Sequence, residues 1–248
     1  MNTTSIMFCT YNRLDLTKRM LESFLNNTTS PYHLIIVDNG STDGTPQYLS
    51  DTLHKHRSPH CQAVDLHFNE KNKGIAVGRN QGLSLAHKYQ DNYLSTLDND
   101  IELPTHWLED CLDILQANPR FAVGINFEGV QYPLQTLNGK TVQVKPAGNL
   151  GTACTVFPKH LHQAIGYFTT DMGLYAHEDA DYFFRARMVG YQLGYLKEMG
   201  IHFGEGALDI GEYREFKTKC SQDNLAKFQA NCYAYMRSQK PYYIHYSE

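Results

Sequence analysis

Over the first hundred residues, short apolar runs alternate with amphipathic ones. Residues 5–10 (SIMFCT) predict a strand, and Leu16, Met20, Phe24 and Leu25 then recur at helical spacing behind Asp15, a cap residue type. Residues 34–37 (LIIV) form the unbroken apolar run expected of a strand covered on both faces. Thr45-Pro46 predicts a helix start, with Thr45 as the cap and Pro46 at the first helical position. Residues 63–68 predict a third strand, 75–89 a third helix and 93–97 a fourth strand. Strands alternating with helices imply a parallel sheet joined by right-handed crossovers.

Residues 126–150 lose this alternation and predict a hairpin or loop excursion. Beyond them, residues 150–157 predict a strand, 179–188 a helix closed by Gly190, and 192–196 another strand. A last helix is expected from Ser221 to about Gln239, followed by an aromatic tail from Tyr242 to Tyr246. With no internal repeat, low-complexity stretch or linker, the 248 residues are expected to form a single domain.

Composition narrows the class. The chain is 42% hydrophobic and 19% charged, enough to build a core and unlike a disordered segment. Its net charge of −4 and broken basic runs, as in Lys71-Asn72-Lys73, give no footprint for nucleic acid. Six cysteines without a CxxC pair read as buried free thiols of a reducing compartment. No leader pattern and no run of ~18 apolar residues is present, so a cytoplasmic location is expected. On that expectation the sequons at Asn2, Asn26 and Asn27 are chance matches.

In sheets of this type, ligands lie at the carboxyl ends of the strands. Three polar clusters fall there: Thr10-Tyr11-Asn12-Arg13, residues 38–43 and Asp98-Asn99-Asp100. The last could hold Mg²⁺ or Mn²⁺ through carboxylate oxygen, or could be a polar turn. Asp38 could accept a hydrogen bond from a base or ribose, or serve ordinary turn chemistry. Gly74, Gly78 and Gly82 recur every fourth residue inside a helical pattern. That is not the GxGxxG dinucleotide fingerprint, and it suits close helix–sheet packing. Arg79 within that stretch would face either a diphosphate or solvent.

A second acidic cluster, His177-Glu178-Asp179-Ala180-Asp181, offers Glu178 and Asp179 as general bases, or a first helical turn stabilised by the dipole. Asp181 is spaced to pair with Arg185 at i+4. His202, in a glycine-flanked turn from Gly200 to Gly204, would be either a ligand or structural.

Taken in order over roughly residues 4–205, six segments resemble the family 2 glycosyltransferases of the GT-A fold. They are TYNR (10–13), VDNGSTDGT (37–45), NKGIAVGRNQG (72–82), LDNDIEL (97–103), HEDADYFFRARMVGY (177–191) and the His202 turn. The resemblance implies an α/β fold, with a mostly parallel central sheet flanked by helices and a Rossmann-like nucleotide-binding half. It implies a donor-binding half over residues 1–103, an acceptor and catalytic half over 104–205, and a helical extension over 206–248. Thr10, Asn12 and Asp38 would line the nucleoside pocket, with Arg13 and Asn99 beside it. Arg79 and Asn80 would lie near the ribose or diphosphate. Asp98 and Asp100 would form the DxD motif, with Asp100 the direct ligand of Mn²⁺ or Mg²⁺ and His202 next to it. Asp179 would be the catalytic base and Glu178 its alternative.

The reaction implied is an inverting transfer from a nucleoside-diphosphate sugar, with UDP favoured by family frequency. The acceptor would be a hydroxyl of a glycan or glycoconjugate. Two rival classes are a sugar-1-phosphate nucleotidyltransferase and a non-catalytic nucleotide- or sugar-binding module. The first should carry a glycine-rich loop after the first strand, where this chain has TYNRLDL. The second would be signalled by loss of Asp98, Asp100 or Asp179, and all three are present. Residues 126–150 and 206–248 match nothing in the resemblance and are expected to shape the acceptor side.

Overall fold

The computed structural model describes residues 3–55, 58–127, 129–203 and 211–247. The amino-terminal half runs β1 (Thr4–Thr10), α1 (Leu14–Asn27), β2 (Tyr32–Asp38), α2 (Thr45–Lys55), β3 (Cys61–Phe68), α3 (Ile75–Ala86) and β4 (Tyr93–Leu97). Its strands lie in the order β3-β2-β1-β4, all parallel. β1 and β4 are buried along their whole lengths, which explains their near-continuous apolar character.

Side chains of β1 alternate between two cores. Ile6 and Phe8 join Met20, Phe24 and Leu49 on one face. Met7 joins Ala76, Leu83 and Ala86 of α3 on the other. The glycines of α3 make this contact close. A Cβ at Gly78 would collide with the Cys9 thiol, and one at Gly82 would come within 3.2 Å of the Met7 Cβ.

The second half runs β5 (Ile101–Glu102), α4 (Trp107–Ala117), β6 (Phe121–Asn126), β7 (Leu134–Leu137), β8 (Lys140–Val144), β9 (Cys154–Pro158), α5 (Lys159–Ile165), α6 (Glu178–Met188), β10 (Gln192–Met199), β11 (Ile201–His202) and α7 (Gly211–Met236). It extends the sheet as β4-β9-β6-β10-β8-β7, and here the pairing is mixed. β9 lies antiparallel to both β4 and β6, while β6 and β10 are parallel. β7 and β8 form the hairpin expected within residues 126–150.

Several bounds differ from the sequence reading. α1 begins at Leu14, behind Arg13 in the left-handed region, so Asp15 falls in the first turn. The cap is delivered from another loop, because the Leu14 N–H donates to Asp43 Oδ2 at 2.8 Å. Asp43 Oδ1 also accepts from the Thr45 N–H and hydroxyl, which starts α2 at Thr45. α3 stops at Ala86 rather than at residue 89. The strand expected from residue 150 starts at Cys154, because residues 150–153 bend into a cleft and Thr155 Oγ1 donates to the Gly151 carbonyl. α7 begins ten residues before Ser221. Its first turns are mostly exposed, so no apolar stripe marked them. The carbonyl side of the Gly200–Gly204 turn beyond Phe203 lies outside the described residues.

Candidate active site

A cleft of about 1270 Å³ opens beyond the carboxyl ends of β1 and β4, against the amino end of α6. It brings together Thr10, Asn12, Arg13, Arg79, Asp98, Asn99, Asp100, Glu178, Asp179 and His202, all singled out in the sequence. Two left-handed pairs shape its rim, Asn12-Arg13 and Ala176-His177. Non-glycine residues rarely adopt this conformation, and it clusters where function demands a sharp turn.

On the wall formed by the ends of β1, β2 and β4, polar side chains tie loops to one another. Asn99 Nδ2 donates to Thr10 Oγ1 and Thr17 Oγ1, both at 3.0 Å, fixing the DND turn to the end of β1. Asn12 receives the Thr42 N–H on its carbonyl oxygen, and its own N–H donates to Ser41 Oγ. Asn39 holds the 72–74 loop through Asn72, Lys73 and Gly74.

Two of the expected donor residues do not line the cleft. Asp38 is buried at the end of β2, with Oδ1 accepting from the Gly40 and Ser41 N–H groups. Its Oδ2 is buried with no hydrogen-bond partner among the described residues. Asn80 is fully buried, and its amide exchanges hydrogen bonds with the Phe168 backbone in both directions. Its geometry is that of a clamp between α3 and the loop before α6.

Asp98, Asp100 and His202 each offer a ligand atom, all within 4.8 Å of one another. The tiny ribbon of β11 on β5 brings the histidine there, by pairing His202 with Ile101. His202 Nε2 stands 3.6 Å from Asp100 Oδ1, and Arg13 donates to Asp100 Oδ2 at 2.7 Å. Burial and the neighbouring Asp98 charge push the Asp100 carboxyl up, against the pull of His202, Arg13 and Lys217. Two oxygen ligands and an imidazole that gather unfavourable negative charge fit a hard divalent cation.

Arg79 is the hinge between the two acidic clusters. It is 5% exposed, with one guanidinium nitrogen 2.8 Å from Asp98 Oδ1 and another 2.6 Å from Glu178 Oε1. The sequence left it facing diphosphate or solvent; the structure turns it inward onto carboxylates. Glu178 is buried, and burial followed by the Asp179 charge pushes its carboxyl up to about 7, against Arg79. Asp179 is also raised, first by burial, with Arg79 opposing. Asp179 is the more exposed of the two and opens toward Gly151 across the cleft. Asp181 faces away from the cleft and pairs with Arg185 at 2.8 Å, both side chains wholly buried.

Sequence reasoning expected residues 206–248 beside the site but named none of the residues that roof it. Tyr175 and the first turns of α7, including Tyr213, Phe216 and Lys217, line the same cleft. Their only signal was an aromatic and basic run, YREFK, without helical apolar spacing.

Residues 5–140 match the family described as Glycosyl transferase family 2. An uncharacterized glycosyltransferase of Haemophilus influenzae is 30% identical over 141 residues, covering 55% of this chain and 53% of that protein. The chain spans 22%, 53% and 34% of the length of three such curated relatives, about half at most. Among solved structures, the mannosyltransferase PcManGT from Pyrobaculum calidifontis, in complex with GDP-Man and Mn²⁺, superposes with a TM-score of 0.69 at 18% identity, covering 96% of this chain and 65% of that one. S. aureus TarS 1–349 in complex with UDP-GlcNAc gives 0.61 at 16% identity, covering 96% and 74%. The fold is therefore of the GT-A type, with no helix among the described residues long and apolar enough to cross a membrane. With more than half its length matched and this cleft at the strand ends, the chain belongs to glycosyl transferase family 2.

Proposed function

We propose that this chain transfers a sugar from a nucleoside-diphosphate sugar to a hydroxyl of a glycan or glycoconjugate, inverting the anomeric carbon. The observation that carries this is the meeting of two acidic clusters across one cleft: Asp98, Asp100 and His202 on one side, Glu178 and Asp179 on the other. PcManGT holds GDP-Man and TarS holds UDP-GlcNAc, and UDP is the nucleotide we assign here. Residues 1–103 would form the donor half and 104–205 the acceptor and catalytic half. No disulfide joins the six cysteines, which accords with a reducing, cytoplasmic setting.

Asp98, Asp100 and His202 would hold Mn²⁺ or Mg²⁺, which when bound neutralises a diphosphate leaving group. The acceptor oxygen forms its bond to the anomeric carbon as the bond from that carbon to the phosphate oxygen breaks. The electron pair leaves with the nucleoside diphosphate, and the acceptor proton passes to Asp179. Asp179 would accept it: Arg79 and the Ala180 N–H on its Oδ1 at the amino end of α6 oppose the upward push of burial, and its Oδ2 faces Gly151 across the cleft. Arg79 orients Asp98 and Glu178 and so holds both sides of the cleft in register.

The test is transfer and donor affinity measured in parallel. Asp179→Asn should keep Mn²⁺-dependent UDP affinity while transfer falls by about 10²–10⁴. Glu178→Gln should fall less, and Asp100→Ala should lose the metal-dependent part of binding. Near-parent transfer by Asp179→Asn would exclude it as the base. A product retaining the donor's anomeric configuration would exclude the single displacement.

A further inference from the structure

Departure of the nucleoside diphosphate deposits an electron pair on a β-phosphate oxygen, and a side chain that meets this charge must be able to move with it. Arg79 does not meet that requirement. It is buried, and leaving Glu178 would strand a buried carboxylate. Arg13 already bonds Asp100 and lies 4.8 Å over the Tyr213 ring.

Lys217 differs. The first turns of α7 carry it into the cleft, opposite the DND turn. Its ammonium lies 5.3 Å from the Tyr175 ring centroid and 5.8 Å from that of Tyr213, and its charge opposes the upward push of burial on the Tyr175 hydroxyl. It is close enough to Asp100 to act on that carboxyl. The placement is rigid at its base. Asn224 of α7 is buried and donates to the Met172 and Tyr175 carbonyls at 2.6 and 2.8 Å, fixing Tyr175 to the helix. His177 Nε2 meets the Ser221 carbonyl at 3.0 Å and stacks on Phe228. A lysine on such a base is a point charge with three donors on a flexible stem, suited to following a phosphate oxygen.

We propose that Lys217 binds the donor's diphosphate and takes up the charge of the departing β-phosphate, with Tyr175 and Tyr213 as its guides. The inference rests on the glycosyl-transfer reading above. It assigns a role to a helix beyond residue 140, where the family match ends.

The experiment is calorimetry with Mn²⁺ present, titrating UDP, UMP, GDP and GMP into the full chain and its variants. Lys217→Ala should weaken the bound diphosphate by about tenfold or more, as expected for a charged hydrogen bond. The matching monophosphate should change by no more than about twofold, the size of an ordinary surface substitution. Lys217→Arg should restore most of the diphosphate affinity. Diphosphate binding by Lys217→Ala within about twofold of the parent would overturn the proposal. So would equal loss of mono- and diphosphate, which marks a structural role for the lysine. A parent chain that binds neither UDP nor GDP would overturn the glycosyl-transfer reading and this inference with it.

Discussion

Glu178 shows how much one residue can carry. One of its oxygens takes Arg79 and the other is buried with no partner among the described residues, while Asp179 adds a like charge beside it. Its carboxyl therefore stands at about 7 in the fold against an ordinary 4.5. A raised carboxyl means that the folded protein binds the proton more tightly than the unfolded chain. The stabilisation is then complete below about pH 4.5 and lost as pH rises through about 7. Urea denaturation of the metal-free protein across that window should show the parent losing stability with pH more steeply than Glu178→Gln. Parallel pH profiles would show that Glu178 does not titrate there. The acidic pair itself was legible in the sequence, as was the DND turn, because adjacent carboxylates at an element end are visible in one dimension. The partner was not. A helical pattern says that Arg79 belongs to α3, but only the packing of α3 against α6 decides that it meets Glu178 rather than a phosphate. The Asn80 clamp was invisible for the same reason, since its partner lies 88 residues away in the Phe168 backbone.

At the scale of elements, α3 lies directly on β1, and the glycines set the distance. The Gly78 Cα sits where a side chain would strike the Cys9 thiol, with Asn39 also near. Asn39 in turn pins the 72–74 loop beside the cleft. Gly78→Ala should cost about 1–3 kcal/mol, as overpacking in a close-packed core does, despite the better helix propensity of alanine. Chemical denaturation measures it, and a gain in stability would mean that α3 can lift from β1 without penalty. The spacing of Gly78 and Gly82 foretold this contact, while Gly74 lies against Gly173 and Leu174. Strand and helix order through β4 was equally legible, because β1 and β4 are buried for their whole lengths and β2 nearly so, with β3 half-buried at the edge. Beyond β4 the signal weakened. α4 and β6 went unassigned between the DND turn and the hairpin. The two-residue β5 and β11, which deliver His202, are too short to have a period. The first ten residues of α7 escaped for another reason: they hang over a polar cleft and bury little, so no apolar stripe announces them.

Over the whole molecule, the carboxy-terminal elements hold α6 in place. Asp181 and Arg185 of α6 are wholly buried. A buried charge pair is tolerable only when its remaining donors and acceptors are matched. Arg185 donates to the Ile165, Tyr167 and Tyr242 carbonyls. Asp181 Oδ2 accepts from Asn231 and Tyr235 of α7. The tail then lies along residues 165–167: the Ile244 N–H donates to the Ile165 carbonyl, and the Tyr167 N–H donates to the Ile244 carbonyl. Gly166 permits this approach, since any Cβ there would meet the Ile244 carbonyl. A chain ending at residue 210 would keep every cleft residue of the first half but leave Asp181 Oδ2 and one Arg185 contact unmatched in a buried site. It should melt at least about 10 °C below the parent, the equivalent of roughly 3–5 kcal/mol in a chain of this size, or lose cooperative unfolding. Tyr235→Phe in the full chain removes only one hydroxyl from the same hub and should cost about 1–2 kcal/mol. The two together separate packing from lid. If α7 only closed the cleft, the truncated chain would melt like the parent and lose activity alone. A truncated chain with an unchanged melting temperature would therefore sink the structural role assigned to the Asp181–Arg185 hub.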